Sequence, residues 1–144
     1  MITAQNVAEY FLFKADENED SDVSNMKLQK LIYYAQAFHL ALFDKPLFNE
    51  EFEAWMHGPV CPSIYREYKS YGSAPIPVNS DIELTMFSDE QLELLEEVYD
   101  VFGQFSAWKL RNMTHEETPW KENEETGGII TKESMMEFYK TRLK

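Results

Sequence analysis

The sequence predicts a mainly α fold of the α+β kind: a compact single-domain bundle around one buried central helix, with a small sheet of two to three strands. Three observations carry this. Between Leu28 and Phe43 only Gln29, Lys30, Gln36 and His39 are strongly polar, and Leu28, Leu31, Ile32, Ala35, Phe38 and Leu42 recur at the spacing of one helical face. A helix apolar around most of its circumference belongs inside a domain, packed on several sides. Helix-start signatures recur along the rest of the chain, whereas segments of strand character are few and short. Length and composition agree: 144 residues fit one core, and 44% hydrophobic with 15% aromatic content excludes a disordered chain.

Taken in order, Thr3 is a suitable N-cap for a first helix whose stripe of Val7, Ala8, Phe11 and Leu12 ends near Lys14. The acidic run Asp16 to Asp22 reads as a solvated loop, with an acidic contact for a basic partner as the alternative. Ser24 or Asn25 caps the central helix, Met26 to Phe43. Asp44-Lys45-Pro46 ends it, because proline has no amide donor and restricts its predecessor. Leu47 and Phe48 lead into a short strand near Glu51 to Met56, and Gly58-Pro59 turns the chain. Pro62 suits the first turn of a third helix, with Ile64, Tyr65, Tyr68 and Tyr71 inward and Gly72 at its end.

Ser73 to Ser80, with Pro75 and Pro77, is extended or looped, and Ile76 and Val78 suit an edge strand. Ser88 and Gln91 have the spacing of a capping box ahead of an amphipathic helix carrying Leu92, Leu95, Val98, Tyr99 and Phe102, weakened at Gly103. Ser106 caps a short helix through Leu110 to Met113. Gly127-Gly128 mark a turn, Ile129 and Ile130 form a strand able to pair with the one near Phe52, and Thr131 caps a last helix with Met135, Phe138, Tyr139 and Leu143.

The formal charge of −13, from 26 acidic and 13 basic residues, repels phosphate. Nucleic-acid binding would need a local basic patch, and Lys27, Lys30, Lys45, Arg66 and Lys69 do not make one. The acidic field favours encounter with a basic protein. A single cysteine, Cys61, suits a reducing cytosol, and the N-terminus has no signal-peptide pattern, so a cytoplasmic protein is expected. No stretch is apolar enough to span a bilayer.

No cofactor, metal or catalytic set is expected. His115-Glu116-Glu117-Thr118 begins like a zincin helix but has Pro119 where the second histidine belongs. Cys61 and His57 lie across a Gly-Pro turn with no recognisable oxyanion hole, and a buried thiol is the plainer reading. No Gly-rich phosphate loop occurs. Tyr33, Tyr34, Tyr65, Tyr68 and Tyr71 suit packing better than base stacking, and Met135-Met136 suits docking on the core. Trp55, His57, Trp108, His115 and Trp120 each combine a ring with a hydrogen-bonding atom beside a Gly, Pro or cap. Such residues pin loops, or serve as rigid anchors for a partner.

Met26-Lys27-Leu28-Gln29-Lys30-Leu31-Ile32-Tyr33-Tyr34-Ala35-Gln36-Ala37, then Pro46-Leu47-Phe48, Glu53-Ala54-Trp55, His57-Gly58-Pro59-Val60 and Pro62 to Tyr65, resembles the Panacea domain family of SocA-like antitoxins and GepA-like phage-associated proteins. The resemblance runs on through Leu110, Thr114-His115, Pro119-Trp120 and the tail from Ile130 to Tyr139. It implies a mainly helical domain with a small antiparallel sheet, encoded in bacteria or prophages. It further implies a non-enzymatic antitoxin that neutralises a cognate toxin by binding it, and the acidic charge makes a basic toxin the expected partner. An adaptor that delivers its toxin to an AAA+ protease is the alternative, followed by a small DNA-binding regulator. A homo-oligomer is compatible with this reading, and no catalytic residues transfer. The motif blocks and the aromatic set together nominate Tyr34, Trp55, His57, Gly58, Pro59, Tyr65, His115, Pro119 and Trp120 for partner contact.

Overall fold

A computed structural model describes residues 2–78 and 81–143. Helix α1 (Ala4–Glu17) starts on Thr3, whose side chain accepts from Asn6 N while the Asn6 side chain accepts from Thr3 N, and it runs three residues past Lys14. The acidic run therefore begins inside a helix. It is only partly solvated, because Asp20 accepts from the Tyr99 hydroxyl and Asp22 holds the Lys27 ammonium at 2.7 Å.

Helix α2 (Asn25–Phe43) is capped by Ser24 and closed by Asp44 in the left-handed region at φ 59°. It is buried along nearly its whole length and packs against α1 and the later helices. Its polar side chains each hold the backbone of a surrounding segment. Gln29 Oε1 accepts from Cys61 N at 2.8 Å, and Gln36 binds Leu47 N and Phe48 O, both at 2.7 Å. His39 Nδ1 meets Lys45 O at 2.8 Å, and Lys27 Nζ donates to Gly103 O at 2.7 Å. Polar groups in a core must be paired, and pairing them with loop backbone turns the central helix into the chain's organiser. Leu42, expected inward, is 47% exposed near the helix's C-terminal end.

Strand β1 (Phe52–Trp55) lies between β2 (Gly58–Val60) and β3 (Ile129–Ile130), antiparallel to both, with Glu53 opposite Val60 and Phe52 opposite Ile130. The turn is at Met56-His57, so Gly58-Pro59, read as the turn, is strand instead. Pro59 pairs at the sheet edge, where its missing amide is tolerated. Helix α3 (Pro62–Tyr68) continues as a 3-10 turn, Lys69–Tyr71, that ends at Gly72. Of its expected inner face Ile64 is buried and Tyr68 half-buried, whereas Tyr65 and Tyr71 face out.

Ile76 and Val78 form no strand. Ile76 is buried and its amide donates to Val23 O, so the segment docks on the start of α2; Asn79 and Ser80 lie outside the described residues. Helix α4 (Asp89–Phe102) has the Ser88–Gln91 capping box, and α5 (Ala107–His115) has Ser106 as cap. Helix α6 (Thr118–Lys121), one turn begun by Pro119, was not anticipated. Helix α7 (Lys132–Lys140) starts on Thr131 and lays Met135 and Tyr139 against α2. The core is continuous from Ala4 to Tyr139, and no helix among the described residues is long and apolar enough to cross a membrane.

Candidate functional site

A cleft of about 760 Å³ opens beside the first half of α2. Asn25, Met26, Gln29 and Lys30 form one wall, the β1–β2 turn a second, and Tyr65 with the start of α5 a third. The lining is mostly apolar, and its rim carries large exposed side chains: Met56 is 75% exposed, Trp108 56% and Tyr65 38%. Isolated exposed apolar residues are ordinary, whereas here three of them converge on one concavity.

The rim is held rigidly. Arg111 lies over the Trp108 ring at 4.4 Å and donates from Nε to His57 Nδ1 at 3.1 Å. One guanidinium thus fixes a tryptophan from α5 beside a histidine from the hairpin, at a ring separation of 6.1 Å. Trp55 packs edge-on against Tyr65 at 5.0 Å and donates from Nε1 to Glu53 at 2.9 Å. Below the hairpin, Trp120 donates to Trp55 O at 2.8 Å and stacks on His115 at 3.8 Å. This pair borders a second, more polar cavity of about 770 Å³ with Arg111, Glu124 and Glu125. Burial, and then the Arg111 charge, hold His115 below the usual histidine range, and its buried Nε2 has no hydrogen-bond partner.

Of the residues nominated from sequence, Trp55, His57 and Tyr65 reach the cleft. Tyr34 does not: it is fully buried, stacked on Phe102 at 4.0 Å, and donates to Glu117 at 2.9 Å. Gly58, Pro59, Pro119 and Trp120 are buried too and shape the hairpin from beneath, while His115 faces the second cavity. Trp108, one of the rings expected to pin a loop or anchor a partner, reaches the rim as well, whereas Met56, Arg111 and Lys30 were not among the candidates. The i, i+3 spacing of Trp108 and Arg111 on one helix was the available signal.

Lys30 has the least expected environment. Its side chain is fully buried, its Nζ donates to Pro59 O at 3.3 Å, and the described residues give it no carboxylate. Burial, reinforced by Arg111, pulls the ammonium down to about 7. Cys61 is set the other way for chemistry: burial pushes its thiol up, and its sulfur faces Ser63 rather than His57. Among the described residues no three His, Cys, Asp or Glu side chains could hold a metal ion. What the arrangement offers is a preorganised apolar surface with one buried cation.

A family model for SocA-like antitoxins with a Panacea domain matches residues 28–121, from the first turn of α2 to the end of α6. That span contains Lys30, the hairpin, Tyr65, Trp108 and Arg111. Antitoxin SocA of Caulobacter vibrioides (strain NA1000 / CB15N) is 34% identical over 131 residues, a match covering 83% of this chain and 69% of that one. No solved structure matches. By both the family model and this relative, the chain belongs to the SocA-like antitoxin family of Panacea-domain proteins.

Proposed function

We propose that this protein is a cytoplasmic antitoxin that neutralises a partner toxin by binding it directly, with the cleft beside α2 as its grip. The observation that carries this reading is the convergence of Met56, Tyr65 and Trp108 on one cleft, with Trp108 braced by Arg111. Aromatic anchors that are already rigid lose little entropy on binding, which is why they dominate interface energetics. The charge of −13 complements them: it speeds encounter with a basic toxin and leaves the lifetime of the complex to the anchors. Co-expression with the toxin encoded beside it tests this. Trp108→Ala and Met56→Ser should fold normally and lose rescue of growth. Full rescue by both would refute the cleft as the contact surface.

A further inference from the structure

We propose that the segment seated in this cleft is apolar with one Asp or Glu side chain, and that Lys30 receives its carboxylate. The proposal rests on the reading of the cleft as the toxin-binding surface and names what the surface recognises.

Two lysines lie buried one helical turn apart on α2, and their environments differ. Lys27 is ion-paired to Asp22 at 2.7 Å and also donates to Gly103 O, so its charge is compensated. Lys30 has three N–H donors and one recorded acceptor, Pro59 O at 3.3 Å. An uncompensated buried ammonium is costly, and a fold retaining one at the wall of a cavity holds an unused binding site for an anion. The charges around the cleft agree. Lys30 and Lys69 line it, and among the described residues its one carboxylate, Asp22, is already taken by Lys27. In a chain of net charge −13 this concavity offers an acidic group two lysines on an apolar bed. A single long hydrogen bond, 3.3 Å, engages Nζ, which leaves its other N–H donors for an entering carboxylate.

Arg111 and His115 of α5 interact electrostatically with Lys30, and His57, Lys69 and Asp22 share the cleft lining with it. Pairing with a carboxylate restores the ammonium, so binding takes up a proton wherever the free amine has lost its own. Affinity for an acidic segment should therefore fall up to tenfold per pH unit between 7.5 and 9.5, above the range in which histidines ordinarily titrate.

A random library of N-acetylated, C-amidated heptapeptides, selected on the full chain and on its Lys30→Met variant, tests the proposal. Wild type should enrich apolar peptides bearing one carboxylate. Replacing that carboxylate by the amide in the best peptide should weaken binding at least tenfold, and Lys30→Met should bind both forms alike. Enrichment of neutral or basic peptides, no enrichment, or discrimination persisting in Lys30→Met would overturn it. Growth rescue by Trp108→Ala and Met56→Ser is read separately, so this proposal can fail while the antitoxin reading stands.

Discussion

A Cβ placed on Gly58 would lie 2.5 Å from Cε of Lys30, so the hairpin and the central helix meet where only glycine fits. The Lys30 stem fills the space that any other residue at 58 would need, and the backbone there, at φ +107°, is one that L residues rarely adopt. The paired motifs Met26-Lys27-Leu28-Gln29-Lys30 and His57-Gly58-Pro59 are therefore two halves of one contact, completed by the Lys30 to Pro59 hydrogen bond.

Gly58→Ala should destabilise the fold by about 2–4 kcal/mol, from overpacking and from its backbone conformation. In a Lys30→Ala background the same change should cost about 1 kcal/mol less. The contact with Thr114 Oγ1, 2.9 Å from the added carbon, and the backbone strain both remain. Urea denaturation of the four proteins in the cycle measures the coupling, and strict additivity would show that the two sites do not touch.

Lys30→Met should stabilise the free protein. The folded value of about 7 lies below the ordinary 10.5, so between those limits the unfolded chain binds a proton that the folded chain does not. Wild-type stability therefore rises with pH across that window from this group, and below about 7 the fold carries a buried charge. Replacing it with a similarly long apolar side chain should add on the order of 2 kcal/mol at pH 6. The difference from wild type should shrink as pH rises toward 10. Denaturation curves of both proteins at pH 6 and pH 9 decide it.

Glu117, at the start of α6, joins α2 and α7, accepting from Tyr34 at 2.9 Å and from Tyr139 at 2.7 Å on the same oxygen. Burial holds its carboxyl above the usual range, against the two hydroxyls and Arg142, which pull it down. The folded protein thus binds this proton more readily than the unfolded chain. Its contribution is fullest below the ordinary carboxyl range and is lost as pH climbs through the raised value. Glu117→Gln keeps an acceptor for both tyrosines and should change stability by under about 1 kcal/mol at pH 7, whereas Glu117→Leu takes the acceptor from Tyr34, leaves Tyr139 its 3.2 Å contact with the Tyr33 hydroxyl, and should cost about 1–3 kcal/mol. Thermal melts of both variants check the contrast.

Much of this fold is legible in the sequence because its signals are local. The apolar circumference of α2, the Thr3, Ser88, Ser106 and Thr131 caps, and the Ile129-Ile130 strand all depend on neighbours within a few residues. What was misread depends on distant contacts. Tyr65 and Tyr71 have the spacing of an inner face, but α3 is short and offers only Ile64 to the core. Gly58-Pro59 has the composition of a turn, and pairing with Ala54 and Trp55 makes it strand. Lys30 and Lys27 look like surface charges until Pro59, Gly103 and Asp22 arrive from other segments to enclose them. The same holds for the cleft: Trp55, His57 and Tyr65 were recognisable as candidates, yet the bracing of Trp108 by Arg111 against His57 joins residues more than fifty positions apart.

The most direct test of the account is the dissociation constant of the purified antitoxin–toxin complex, measured for wild type and for Trp108→Ala. The variant should melt within a few degrees of wild type and bind roughly 30-fold or more weakly, as the loss of a central aromatic anchor requires. Rescue that depends on a protease and leaves no stable complex would point to toxin delivery instead. An unchanged dissociation constant for Trp108→Ala, Met56→Ser and Tyr65→Ala alike would contradict the cleft as the grip.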